Sequence, residues 1–136
     1  DLGELNIYIK YAGTSRISQV KGRKKTSWGV NFSEIDINKL ENEFVQDQYI
    51  NYVALVLSNR TMSDTRIAVI SYNDIMERLA KITPGGNRRI NVVRYGNDHT
   101  FICYGATESE ADGFQVFVNH MRYFNEAASD EEDSYD

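Results

Sequence analysis

Gln19 and Lys21 stand two residues apart in Ile17-Ser-Gln-Val-Lys21, where β-type alternation sets both side chains on one strand face. A polar side chain and a lysine sharing one strand face suit chemistry on a phosphodiester. The same stretch carries Arg16, Lys21, Arg23, Lys24 and Lys25, five cations within ten residues of a chain whose formal net charge is −5. A run of this kind suits phosphates, which bind through Lys and Arg whatever the base sequence. Arg88, Arg89 and Arg94 extend the positive charge on a later hairpin, and Tyr8, Tyr11 and Trp28 supply aromatic rings. The competing readings are a solvated hairpin loop for 16–25 and a core position for Trp28.

The net charge hides where the charge sits. Glu126, Asp130, Glu131, Glu132, Asp133 and Asp136 fall in the last eleven positions, and setting them aside leaves fourteen acids against fifteen bases. The body is therefore near neutral, and a local basic patch on it can hold a polyanion. The acidic end, Ser129–Asp136, suits partner recruitment or competition for a basic groove, or simply solubility. His99, Cys103 and His120 do not make a zinc set without further ligands, so no metal is assigned. Nor does any nucleophile–base constellation or phosphate-cradling glycine pattern present itself. With one cysteine no intramolecular disulfide forms, and no membrane-length apolar run occurs, so the expectation is a cytoplasmic protein without a membrane partner.

The elements that must position these residues follow from periodicity. Leu5, Ile7, Ile9 and Tyr11 alternate as a half-buried strand, and Trp28, Val30 and Phe32 as another. Ser33 caps a helix over 34–46 whose stripe is Ile37, Leu40 and Phe44. Tyr52–Leu57 is continuously apolar, the pattern of a strand covered on both faces, and Arg66–Ile70 pairs with it. Ser71 caps a second helix, 72–82, with Ile75, Leu79 and Ile82 inward and Pro84-Gly85-Gly86 as its stop. Ile90–Tyr95 and Thr100–Tyr104 flank a Gly96-Asn97-Asp98 turn. Thr107 and Glu110 have capping-box spacing before a third helix. Its wide apolar face, with Phe114, Phe117, Met121 and Phe124, is the candidate surface for a protein partner or a homodimer. The order is ββαββαββα. That predicts an α+β single domain over 1–126, with an antiparallel or mixed sheet of five to six strands and three helices, then a disordered acidic tail over 127–136.

Over roughly residues 1–82 this layout, with Gln19-Val20-Lys21 ahead of a helix and a buried strand, resembles the core of the restriction-endonuclease-like PD-(D/E)XK nucleases. The resemblance implies a metal-holding role for Gln19 and a water-orienting or charge-stabilising role for Lys21, with Mg²⁺ as cofactor only if the protein is an active nuclease. The chain departs from the family pattern upstream, where Asp1 and Glu4 are the sole acids, and a neutral amide is a poor ligand for a hard cation. The resulting expectation is a nucleic-acid-associated protein, binding DNA or RNA phosphates through the basic loop without catalysis. The alternatives are a non-enzymatic protein-binding regulator using its last helix, and a metal-dependent nuclease.

Overall fold

The computed structural model describes residues 4–82, 85–86 and 88–120. Their strands form two sheets. The first holds β1 (Glu4–Ala12), β4 (Tyr49–Leu57), β5 (Arg66–Ser71) and β9 (Asn119–His120), in that order. β1 runs parallel to β4, and the other pairs are antiparallel. The second sheet is antiparallel throughout, in the order β2 (Arg16–Val20), β3 (Arg23–Asn31), β6 (Arg89–Tyr95), β7 (Thr100–Gly105) and β8 (Phe114–Phe117). Two α-helices, α1 (Glu34–Asn42) and α2 (Tyr72–Leu79), complete the described fold.

The α+β class holds, but the expected architecture does not. Instead of one sheet of five to six strands with three helices there are nine strands, the last of two residues, in two sheets with two α-helices. The break at Ala12-Gly13-Thr14-Ser15 is where the sheets part. β1 stays beside β4, while the chain crosses to build β2 and β3 in the second sheet. One apolar cluster joins the layers: Trp28 and Val30 of β3, Leu40 of α1, Leu55 of β4, Ile75 of α2 and Phe101 of β7 all belong to it. Burial of this kind is the main stabilising term of such a domain. The Trp28 indole donates to the Ser58 carbonyl at 2.8 Å and meets Phe101 edge-on at 5.9 Å, so it is a core group rather than a stacking platform.

Both helices start where their caps demand. Ser33 Oγ accepts from the Asp36 N–H, and the Asp36 carboxylate accepts from the Ser33 N–H, a reciprocal capping box. Ser71 Oγ accepts from the Asp74 N–H in the same way. Both helices are shorter than their apolar spacing predicts. Phe44 lies beyond α1, stacked on Tyr72 at 5.9 Å, and Ile82 lies beyond α2 and is exposed. Continuous burial of β4 is also only partly realised. Val53, Leu55 and Leu57 are fully buried on the core side, whereas Tyr52 and Val56, on the other face, are half-buried. No α-helix among the described residues is long and apolar enough to cross a membrane.

The third helix is absent from the described residues because its cap is used elsewhere. The Glu110 carboxylate is taken by Lys25 and Tyr95, and Gly105 N–H donates to Glu108 at 2.7 Å. What forms is one 3-10 turn, Glu110–Asp112. Phe114-Gln-Val-Phe117 then alternates as a strand and completes the edge of β7, with Phe114 and Val116 against the core. Helical spacing of the phenylalanines competed here with an open strand edge. The edge won.

Candidate anion-binding groove

The β2–β3 hairpin turns on Lys21 and Gly22, at φ 51° and 80°. Positive φ at both residues is the geometry that continues the right-handed twist of two paired strands, and glycine adopts it without a Cβ clash. β2 therefore ends at Val20, and Lys21 is a turn residue. Gln19 faces Lys24 across the hairpin, so Gln19 and Lys21 do not share a strand face. Among the described residues no three His, Cys, Asp or Glu side chains gather as a metal site.

Because Trp28 and Val30 point to the core, alternation turns Arg23, Lys25, Ser27, Gly29 and Asn31 outward. Register adds Arg16 opposite Ser27, Asn91 opposite Gly29, Arg89 opposite Asn31 and Tyr104 opposite Asn91. Several cations on this sheet are already neutralised. Arg23 is paired to Asp98 at 2.8 Å, and Lys25 to Glu110 at 2.8 Å. Tyr95 Oη donates to the other Glu110 oxygen at 2.5 Å. Burial pushes the Glu110 carboxyl up, but the hydrogen bonds from Lys25 and Tyr95 outweigh it and hold it below its ordinary range. The bond to Glu110 raises the Lys25 ammonium in turn. Arg88 lies 3.8 Å from Glu41, and Arg94 donates to the Asp98 carbonyl at 2.8 Å. Lys21 and Lys24 are exposed and make no ion pair among the described residues.

Arg16 and Arg89 are different. They lie at a groove of about 480 Å³ whose other walls are Thr14, Ser27, Trp28, Gly29, Asn91 and Tyr104. Among the described residues neither arginine makes an ion pair, and no carboxylate lines the groove. Gly29 explains how Arg89 reaches it. A Cβ at position 29 would stand 3.0 Å from Arg89 Cδ and 3.3 Å from Nη1, so the side chain lies flat over the glycine. Arg89 Cα sits opposite Asn31, so its guanidinium has run about 6–7 Å along β3 toward Arg16. Two guanidinium groups, three hydroxyls and an amide with no anion among them form a site for an anionic ligand.

Sequence reasoning named Arg16 and Arg89 but missed Thr14, Ser27, Gly29, Asn91 and Tyr104. These come from separate segments, and no linear spacing unites them. The available signal was parity, since the core positions Trp28 and Val30 turn Ser27 and Gly29 outward. The expected partner surface is not one face. Phe114 is half-buried under Arg78, whose guanidinium lies 4.2 Å from its ring centroid, while Phe117 is 76% exposed on β8. Met121 and Phe124 lie outside the described residues, as does the acidic tail. His99 is exposed, and Cys103 is buried in β7, where burial pushes its thiol up to about 12.

A second charged cluster lies between β1 and α1. Asp36 accepts from Tyr8 Oη at 2.5 Å, Lys10 Nζ at 2.8 Å, Ser33 N–H at 2.9 Å and Ser33 Oγ at 3.0 Å. Burial raises the carboxyl, but these donors together outweigh it and hold Asp36 far below the usual carboxylate range. Burial and the bond to Asp36 push Tyr8 up to about 12. Three of these donors reach Oδ2 and one reaches Oδ1, so the carboxylate is committed to tying a helix to a strand.

Compared with family models, with curated proteins and with solved structures, the chain matches none of them.

Proposed function

We propose that the protein is a non-catalytic nucleic-acid-binding protein that holds phosphates in the groove between Arg16 and Arg89. One observation carries this reading: two guanidinium groups converge on a polar groove that contains no carboxylate among the described residues. Arginine left without an anion beside hydroxyl and amide groups suits a phosphate, which accepts two parallel N–H bonds from one guanidinium. Lys21, exposed in the turn after β2, adds positive charge beyond the groove, whereas Lys24 has the parity of Trp28 and stands on the other face of β3. Cleavage is not part of the proposal, because Lys21 stands in the turn with Gln19 on the strand before it, and the pair lacks a common face.

The test is fluorescence anisotropy with a labelled oligonucleotide between about 50 and about 200 mM salt. Affinity is expected to fall steeply with salt. Arg16→Ala/Arg89→Ala is expected to flatten the log–log slope by about 1.4, two single-strand phosphate contacts at about 0.7 each. Binding that ignores salt, or a slope unchanged in the double variant, overturns the reading.

A further inference from the structure

We infer that the groove takes one unpaired nucleotide of a strand, so that the protein selects single-stranded nucleic acid over duplex. This rests on the phosphate-binding reading above and adds what the site does with the base. Tyr104, Asn91 and Gly29 are register partners across β7, β6 and β3, one straight rung on the outward face. Two strand spacings, about 10 Å, separate the ends of that rung. At the Gly29 end lies the Arg89 guanidinium; at the other is an aromatic ring; between them is an amide. A phosphate at one end, a base face on the ring and a base edge at the amide reproduce the parts of a single nucleotide in order.

The free base face that the site takes disfavours a duplex. Arg89 lies flat against Gly29 instead of projecting, so a phosphate must descend to the sheet to meet it. A volume of about 480 Å³ is that of a small-ligand pocket. A duplex keeps its bases stacked and paired, with no face free for Tyr104. An unpaired strand can turn one base out at little cost.

Three probes of equal length separate the terms: a single strand, the same sequence as a duplex, and an abasic single strand that keeps the phosphates. The single strand is expected to bind at least tenfold more tightly than either of the others at fixed salt. Tyr104→Ala is expected to weaken the single strand about tenfold more than the abasic strand, since only the former has a base to lose from the ring. Tyr104→Phe, which keeps the ring and its packing, is expected to restore single-strand binding. Equal affinity for all three probes, or an equal loss on both single strands in Tyr104→Ala, overturns the base-binding inference while leaving the phosphate reading intact. Absence of binding to every probe overturns both.

Discussion

The cluster Tyr8–Lys10–Asp36 and the groove of Arg16 and Arg89 use similar groups to opposite ends. Each sets cations beside hydroxyls at the surface of a sheet. In the first, one carboxylate collects four hydrogen bonds, and its charge is fully answered within the chain. In the second, two guanidinium groups meet only uncharged residues among the other groove walls, and no carboxylate. A saturated cluster stabilises the fold, and any ligand would have to break it open. An unsaturated one contributes little to the fold, because its cations are already hydrated, and it gains only when an anion arrives. The contrast therefore separates folding residues from binding residues by what each charge still lacks, not by residue type.

The largest effect should come from emptying the saturated cluster. Asp36→Ala removes the carboxylate half of the capping box and leaves Lys10 and Tyr8 without their acceptor, and is expected to cost about 2–4 kcal/mol in urea denaturation. Oligonucleotide affinity per folded molecule should not change. Because the Asp36 carboxyl is depressed in the folded protein, its contribution is present above the ordinary carboxylate range and fades as pH falls toward the lower folded value. A variant that lost affinity in proportion to stability would erase the distinction between the two regions.

A middle-sized effect tests the groove in the opposite sense. Gly29→Val places branched carbon where Arg89 now lies, at contacts already as short as 3.0 Å for a bare Cβ. Valine is favoured in a strand interior, so the melting temperature should hold or rise. Affinity should fall about tenfold, the worth of roughly one charge-assisted contact. Combining Gly29→Val with Arg89→Ala should be no worse than Arg89→Ala alone, because both act through one guanidinium. Additive losses would place the effect of Gly29 elsewhere.

The sequence made some of this legible and hid the rest for physical reasons. The starts of α1 and α2 were readable because Ser33 and Ser71 cap locally, within three residues of their partners. The hairpin β6–β7 was readable because its turn is short, residues 96–99, and β5 was readable as the partner of β4 because it is the next apolar run along the chain. The parallel pairing of β1 with β4 was not, since it joins segments some forty residues apart without a local signal. Phe114–Phe117 misled because apolar residues at 114, 117 and 118 satisfy a helical period and, at 114 and 116, a strand period too. Only the open edge of β7 decides between them. In the groove, charge was legible and shape was not. Arg16 and Arg89 stood out as cations, but which of eight candidates remain unpaired depends on tertiary partners such as Asp98 and Glu110.

The Lys25–Glu110–Tyr95 group lies between the two extremes and yields the smallest effect. Its ion pair is satisfied, yet it is partly exposed and shares the outward face of the second sheet with the groove. Glu110 is depressed below its ordinary value of 4.5, so it stays charged at neutral pH and loses its charge only under acid conditions. The stability it lends is present above that ordinary value and is lost as pH falls through the lower folded one. Protonation would leave Lys25 without its anion and add one net positive charge beside the groove. Oligonucleotide affinity should then rise by a few-fold between neutral and acid pH at low salt, where such a charge is least screened. The Arg23–Asp98 ion pair lies on the same sheet, so the informative comparison is Glu110→Gln, which should bind with the higher affinity already at neutral pH and show a smaller further rise. If the variant and the wild type kept identical pH profiles, Lys25 would belong with Lys10 as a cation committed to the fold. A divergence would place it with Arg16 and Arg89, held back from the ligand only by one carboxylate.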